Sequence, residues 1–98
     1  MTAKKIREVL VEYEWLFKQW GIESKRINIK KKLNIFIILF QKRKILNHLY
    51  WMTKESLSFL DQDRIEKTFR WLGFIQCGLW LVGKFPIDDL KNHSRPDR

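Results

Sequence analysis

Cysteine occurs once in the 98 residues, at Cys77, and histidine twice, at His48 and His93, far apart and with no cysteine or carboxylate beside them at metal-ligand spacing. That scarcity rules out an intramolecular disulfide and leaves no framework for a zinc site. The longest purely apolar run, Ile35 to Phe40, falls far short of the roughly 18–20 residues that span a bilayer, and Arg70 and Gln76 interrupt the other candidate. No transmembrane segment is therefore expected. Glycine is scarce too, with four residues and no Gly-rich phosphate loop, and no serine stands in a nucleophile elbow. The acidic pairs Asp61/Asp63 and Asp88/Asp89 coincide with helix starts, which accounts for them without acid or base roles. No metal, no cofactor and no catalytic activity are expected. With no secretory leader ahead of the first helical pattern, the single thiol reads as that of a protein from a reducing, intracellular setting.

Acidic residues are also missing from one stretch, and that absence organises the charge. The net charge is +9, and Lys25, Arg26, Lys30, Lys31, Lys32, Lys42, Arg43 and Lys44 stand between residues 25 and 44 with no Asp or Glu among them. The rest of the chain is close to neutral. A charge run is the ordinary composition of a solvated face, but a confined one also suits an anionic partner bound at one place.

What the chain has in quantity is apolar periodicity. Apolar residues make up 45% of it and aromatics 14%, enough for one packed domain over residues 1–98. From Ala3 to Trp20, Ile6, Val9, Leu10, Tyr13, Leu16, Phe17 and Trp20 recur at helical spacing, with Thr2 as N-cap and Gly21 just past the end. Residues 22–32 read as a basic connector. Leu33 to Leu60 reads as one long helix whose stripe includes Thr53 and Ser56, and Phe36, Ile37 and Phe40 put further apolar groups on its opposite side. A buried β-strand competes for its first half, so residues 22–40 are open between helix and strand.

Arg64 to Gly83 is the densest apolar segment. Ile65, Phe69, Leu72, Leu79 and Trp80 share a face that Thr68, Trp71, Ile75 and Val82 widen, while Phe74 and Leu81 project from the side left for water. Asp63 and Glu66 have capping-box spacing, Gly73 and Gly78 imply close helix approach, and Cys77 reads as a small helix-packing residue. Gln76 lies among apolar neighbours and needs a hydrogen-bond partner, from a neighbouring helix or from a ligand. The short Asp61–Asp63 link folds this helix back on the preceding one. A short terminal helix follows, with Pro86 at its first position, Asp88 and Asp89 in its first turn and Leu90 inward, and residues 94–98 form a frayed tail. The architecture expected is all-α, a small helical bundle with apolar surface to spare and therefore oligomeric.

Cations contact phosphate oxygens and aromatics stack on bases, so the basic zone with His48, Tyr50, Trp51 and Gln76 nearby is the candidate ligand site. Phe36, Ile37, Phe40, Phe74 and Leu81 form the candidate interface for another subunit or partner.

The string RWLGFIQCGLW, the Gly83 turn, Ile87-Asp88-Asp89-Leu90-Lys91 and Asn92-His93-Ser94-Arg95-Pro96 resemble the C-terminal half of small uncharacterised proteins of tailed bacteriophages. The resemblance runs from about His48 to the end, with Cys77 where that pattern has glycine and Pro86 where it has a hydroxyl residue. It transfers no functional residue. What it implies is a setting, a phage accessory gene expressed in the bacterial host cytoplasm. The functional expectation is a non-catalytic, homo-oligomeric protein that counters host defence by sequestering an anionic nucleotide signal at a basic site between subunits. A nucleic-acid-binding regulator and a protein inhibitor of a host or defence enzyme are the alternatives.

Overall fold

The computed structural model describes residues 2–27 and 41–93, and these form four helices: α1 (Ala3–Gln19), α2 (Lys42–Asp61), α3 (Ile65–Leu81) and α4 (Ile87–His93). Among the described residues there is no strand, and the all-α bundle expected from the periodicity is what forms. The helices α2 and α3 make an antiparallel hairpin, α1 packs chiefly on α2, and α4 closes against α3.

Each face follows from spacing. In α1 the buried residues are Ile6, Val9, Leu10, Tyr13 and Phe17, and Thr2 caps it by accepting the Lys5 N–H on Oγ1 at 3.2 Å. In α2, Ile45, Leu46, Leu49, Tyr50, Met52 and Leu60 enter the same core. In α3 the buried stripe is Thr68, Leu72, Ile75 and Leu79, continued by Val82. That stripe is narrower than the apolar face anticipated, because a single helix, α2, supplies most of the cover. Ile65, Phe69 and Trp80 are consequently exposed, along with Phe74 and Leu81. Cys77 is exposed as well, a surface thiol where a helix-packing residue was expected.

Three of the helix ends share one solution. After α1, α2 and α3 the residue just past the C-cap adopts positive φ, at Gly21 (69°), Asp63 (61°) and Gly83 (78°). In each case the next N–H bonds back into the last turn: Ile22 to Phe17 O at 3.0 Å, Arg64 to Phe59 O at 2.9 Å and Lys84 to Leu79 O at 2.9 Å. These are Schellman turns, which satisfy carbonyls that a helix end leaves open. Asp63 therefore ends α2 and does not cap α3. Arg64 takes the N-cap position without a side-chain bond, and the anticipated capping box is absent.

The two glycines inside α3 differ. A Cβ on Gly78 would stand 2.6 Å from Leu49 Cδ2, so here the hairpin does require glycine, whereas around Gly73 there is open space. Small side chains elsewhere in the packed region keep their polar atoms local: Thr53 Oγ1 donates to Leu49 O and Thr68 Oγ1 to Arg64 O, both at 2.8 Å. Ser56 Oγ is buried with no partner among the described residues.

The helix expected over Leu33 to Leu60 does not run unbroken through Gln41, and its part before Gln41 lies outside the described residues. Gln41, at φ −127° and ψ 37°, stands outside the helix, and α2 starts at Lys42. Lys42, Arg43 and Lys44 thus occupy its first turn and do not sit several turns into a helix. Lys30, Lys31, Lys32, Phe36, Ile37 and Phe40 lie outside the described residues. Pro86 likewise precedes α4, its carbonyl accepting the Leu90 N–H at 3.3 Å as an N-cap carbonyl does.

Candidate functional site

The connector after α1 is laid along the first turns of α2, which is how two separated cation groups come together. Arg43 donates to Gly21 O at 2.8 Å, the Lys25 N–H to Asn47 O at 3.1 Å, and the Ile27 N–H to His48 Nδ1 at 3.2 Å. With its amide nitrogen turned inward, Asn47 also reaches Glu23 O at 3.0 Å. Lys25, Arg26, Lys42, Arg43 and Lys44 are all exposed. The nearest carboxylate in the connector, Glu23, is held by Lys25 at 3.3 Å.

Arg26 and Trp51 are the centre of the edge. The Arg26 guanidinium lies over the Trp51 ring, 5.2 Å from its centroid, and His48 stacks on that ring at 5.5 Å and 26°. A cleft of about 390 Å³ opens here, lined by Arg26, His48, Trp51, Met52, Trp71 and Phe74. Its size suits a small ligand, and its lining is mostly apolar with a cation at the mouth. Burial, and secondarily the Arg26 charge, hold His48 below the usual imidazole pKa. A neutral ring is what the bond from Ile27 requires, because Nδ1 must keep its lone pair to accept.

Of the residues expected at the site, Lys25, Arg26, Arg43, His48 and Trp51 are brought together by the connector, Lys44 shares the Trp51 face of α2, and Lys42 is exposed half a turn away on the same helix end. Tyr50 does not join them: it is buried and stacked on Phe17 at 5.2 Å and 13°, a core residue whose outer face carries the Lys54 ammonium at 4.8 Å. Gln76 has the partner its position demands, and that partner is structural. Gln76 Nε2 donates to the Tyr13 hydroxyl at 3.1 Å, and that hydroxyl lies 2.8 Å from His93 Nδ1. Three helices are tied by this relay, and burial pushes the Tyr13 phenol up to about 12 against the opposing effect of the Gln76 bond. Phe74 and Leu81 are exposed at 56% and 46%, as an interface needs.

Lys84 was not anticipated here. Its ammonium lies 4.6 Å from the Trp20 ring centroid, and Trp20 directly precedes the Gly21 carbonyl that holds Arg43. The hairpin itself could have revealed it, since an antiparallel return from Asp63 brings residues near 84 back to the start of α2. A larger cleft, about 510 Å³, is lined by Gln76, Cys77, Trp80, Ile87, Leu90 and Lys91. It holds one cation and none of the basic-zone residues, so size alone does not make it the better anion site. Among the described residues no cluster of His, Cys, Asp and Glu could hold a metal ion, and no helix is long and apolar enough to cross a membrane. No protein-family model, no curated protein and no solved structure matches the chain.

Proposed function

We propose that the protein is a non-catalytic binder of an anionic, base-bearing ligand, a nucleotide, at the edge formed by residues 25–26 and the start of α2. The observation that carries this reading is the Arg26–Trp51 stack at the mouth of a cleft beside four further exposed cations. A base entering the cleft meets aromatic faces, and its phosphates then lie among Lys25, Arg26, Lys42, Arg43 and Lys44. In the phage setting implied by the C-terminal resemblance, the role served is sequestration of a host nucleotide signal. Phe74 both lines the cleft and belongs to the exposed apolar face of α3, so association of a second copy through Phe74 and Leu81 would border the site and complete it.

Isothermal titration against a panel of linear, cyclic and adenosine-derived nucleotides tests the reading, with native mass measured alongside. At least one nucleotide is expected to bind more tightly than millimolar. Replacing Lys42 and Lys44 by Glu is expected to weaken it at least about tenfold, the loss of two phosphate contacts, without lowering the melting temperature, because acidic side chains suit a helix N-terminus. Absence of binding across the panel would sink the reading.

A further inference from the structure

The stack at Arg26 does not end there. On α2, Trp51 and Phe59 stand two turns apart on one ridge, and Trp71 of α3 bridges them, 5.9 Å from Trp51 and 4.8 Å from Phe59 edge-on. With His48 stacked on the far side of Trp51, four rings form a continuous line along the α2–α3 seam. Cations follow the line to its other end. Lys67 lies 4.3 Å from the Phe59 centroid and 5.7 Å from that of Trp71, and the Arg64 guanidinium is 5.1 Å from Phe59. Trp51, Trp71 and Phe59 are partly exposed, and their solvent-side cations, Arg26, Lys67 and Arg64, are the groups a base would displace towards its own phosphates.

A mononucleotide uses one end of such a line, and a core needs none of the flanking cations. From Trp51 to Phe59 the helix rises about 12 Å, the length of three to four nucleotides at the roughly 3.4 Å spacing of stacked bases. From these juxtapositions we infer that the seam is a track for single-stranded nucleic acid, entered at the basic edge and running to the α2–α3 turn. Bases stack along Trp51, Trp71 and Phe59, and the phosphates pass beside Lys25, Arg26, Lys67 and Arg64. Glu55 lies on the same ridge, four residues from each of Trp51 and Phe59. A carboxylate there repels phosphate and accepts hydrogen bonds from base amino groups, which sets the strand with its bases, not its backbone, against the ridge. A duplex hides its base faces and is excluded. Shallow, partly exposed rings with spread cations are the form that sequence-tolerant binding of single strands takes.

The inference rests on the nucleotide reading above and is separable from it by length. Fluorescence anisotropy with labelled oligoadenylates of one to eight nucleotides, at low and at moderate salt, is the measurement. Affinity is expected to rise at least about tenfold from one nucleotide to four, to level off beyond that, and to fall with salt. Phe59→Leu keeps an apolar side chain and removes the ring at the far end. It is expected to cost about fivefold or more on the tetramer and to leave the mononucleotide unaffected, with unchanged far-UV circular dichroism as the check on folding. A tetramer that binds no tighter than a mononucleotide overturns the track and leaves the edge site standing. If neither binds, both fall.

Discussion

The two ends of α2 obey different rules. At its C-terminus the charges are mixed in sign: Asp61 meets Arg7 at 2.7 Å, the turn is a Schellman motif, and α3 starts with Glu66 in its first turn. At its N-terminus Lys42, Arg43 and Lys44 crowd the first turn with no acidic residue and no side-chain cap. Each such cation opposes the positive end of the helix dipole, a cost of about 0.3–1 kcal/mol. The chain applies the dipole rule elsewhere, placing Asp88 and Asp89 at the start of α4. One end is arranged for stability, and the other keeps an unfavourable arrangement that an anionic ligand would relieve.

That contrast can be attacked first through packing, where the largest effect is expected. Gly78 lies in the half of the hairpin that backs the basic edge, against Leu49, which is itself buried and cannot swing into space. Gly78→Ala should destabilise the fold by about 1–3 kcal/mol, the cost of overpacking, in spite of alanine's better helix propensity. Gly73→Ala, in open space nearer the turn, should stabilise it by about 0.5–1 kcal/mol. Denaturant unfolding of the pair measures both, and equal shifts would show that the hairpin is not pinned at Leu49.

How far such features could be read beforehand depended on how local they were. Helix type, the Thr2 cap, the Gly21 and Gly83 turns and the Gln76 bond all follow from short-range spacing or from the cost of an unpaired buried amide. The start of α2 did not, because the apolar sequence pattern runs on in helical period across Gln41, whose own φ and ψ are not helical. Asp63 is ambiguous in sequence because Asp serves both at helix starts and in left-handed turns, and only the bond from Arg64 to Phe59 O decides between them. Tyr50 has basic neighbours in sequence, which suggest a ligand site, while its neighbours in space are Phe17 and the core. The aromatic line along Trp51, Trp71 and Phe59 needed the hairpin register, which no single window of sequence contains.

Acid should act mainly on the basic end. The pKa of His48 is lowered in the folded state, so the unfolded chain binds the extra proton first, and the folded state loses stability as pH falls from about 6.5 through the lowered value. Above that window the stabilising contribution is complete. Protonation also removes the acceptor for Ile27 N–H and puts a cation beside Arg26, so the connector should loosen. Melting temperature scanned from pH 7.5 to pH 5 should decline, and His48→Asn, which keeps an acceptor without titrating, should flatten the decline in its upper part. A variant as pH-sensitive as the parent would place the titration on another group.

The smallest effect is expected at the turn end. Asp63 is the one described residue other than glycine with positive φ, a conformation that costs an L side chain roughly 1–2 kcal/mol and Asp somewhat less. Gly21 and Gly83 make the same turn without that cost. Asp63→Gly should therefore stabilise the protein, though glycine's greater freedom in the unfolded chain takes back a part, leaving about 0.5 kcal/mol. Asp63 is exposed and has no part in the basic edge, so nucleotide affinity should not move. A rise in denaturation midpoint with unchanged binding would separate the two ends of α2 in a single variant. A loss of binding would mean instead that the turn and the edge are coupled through the hairpin.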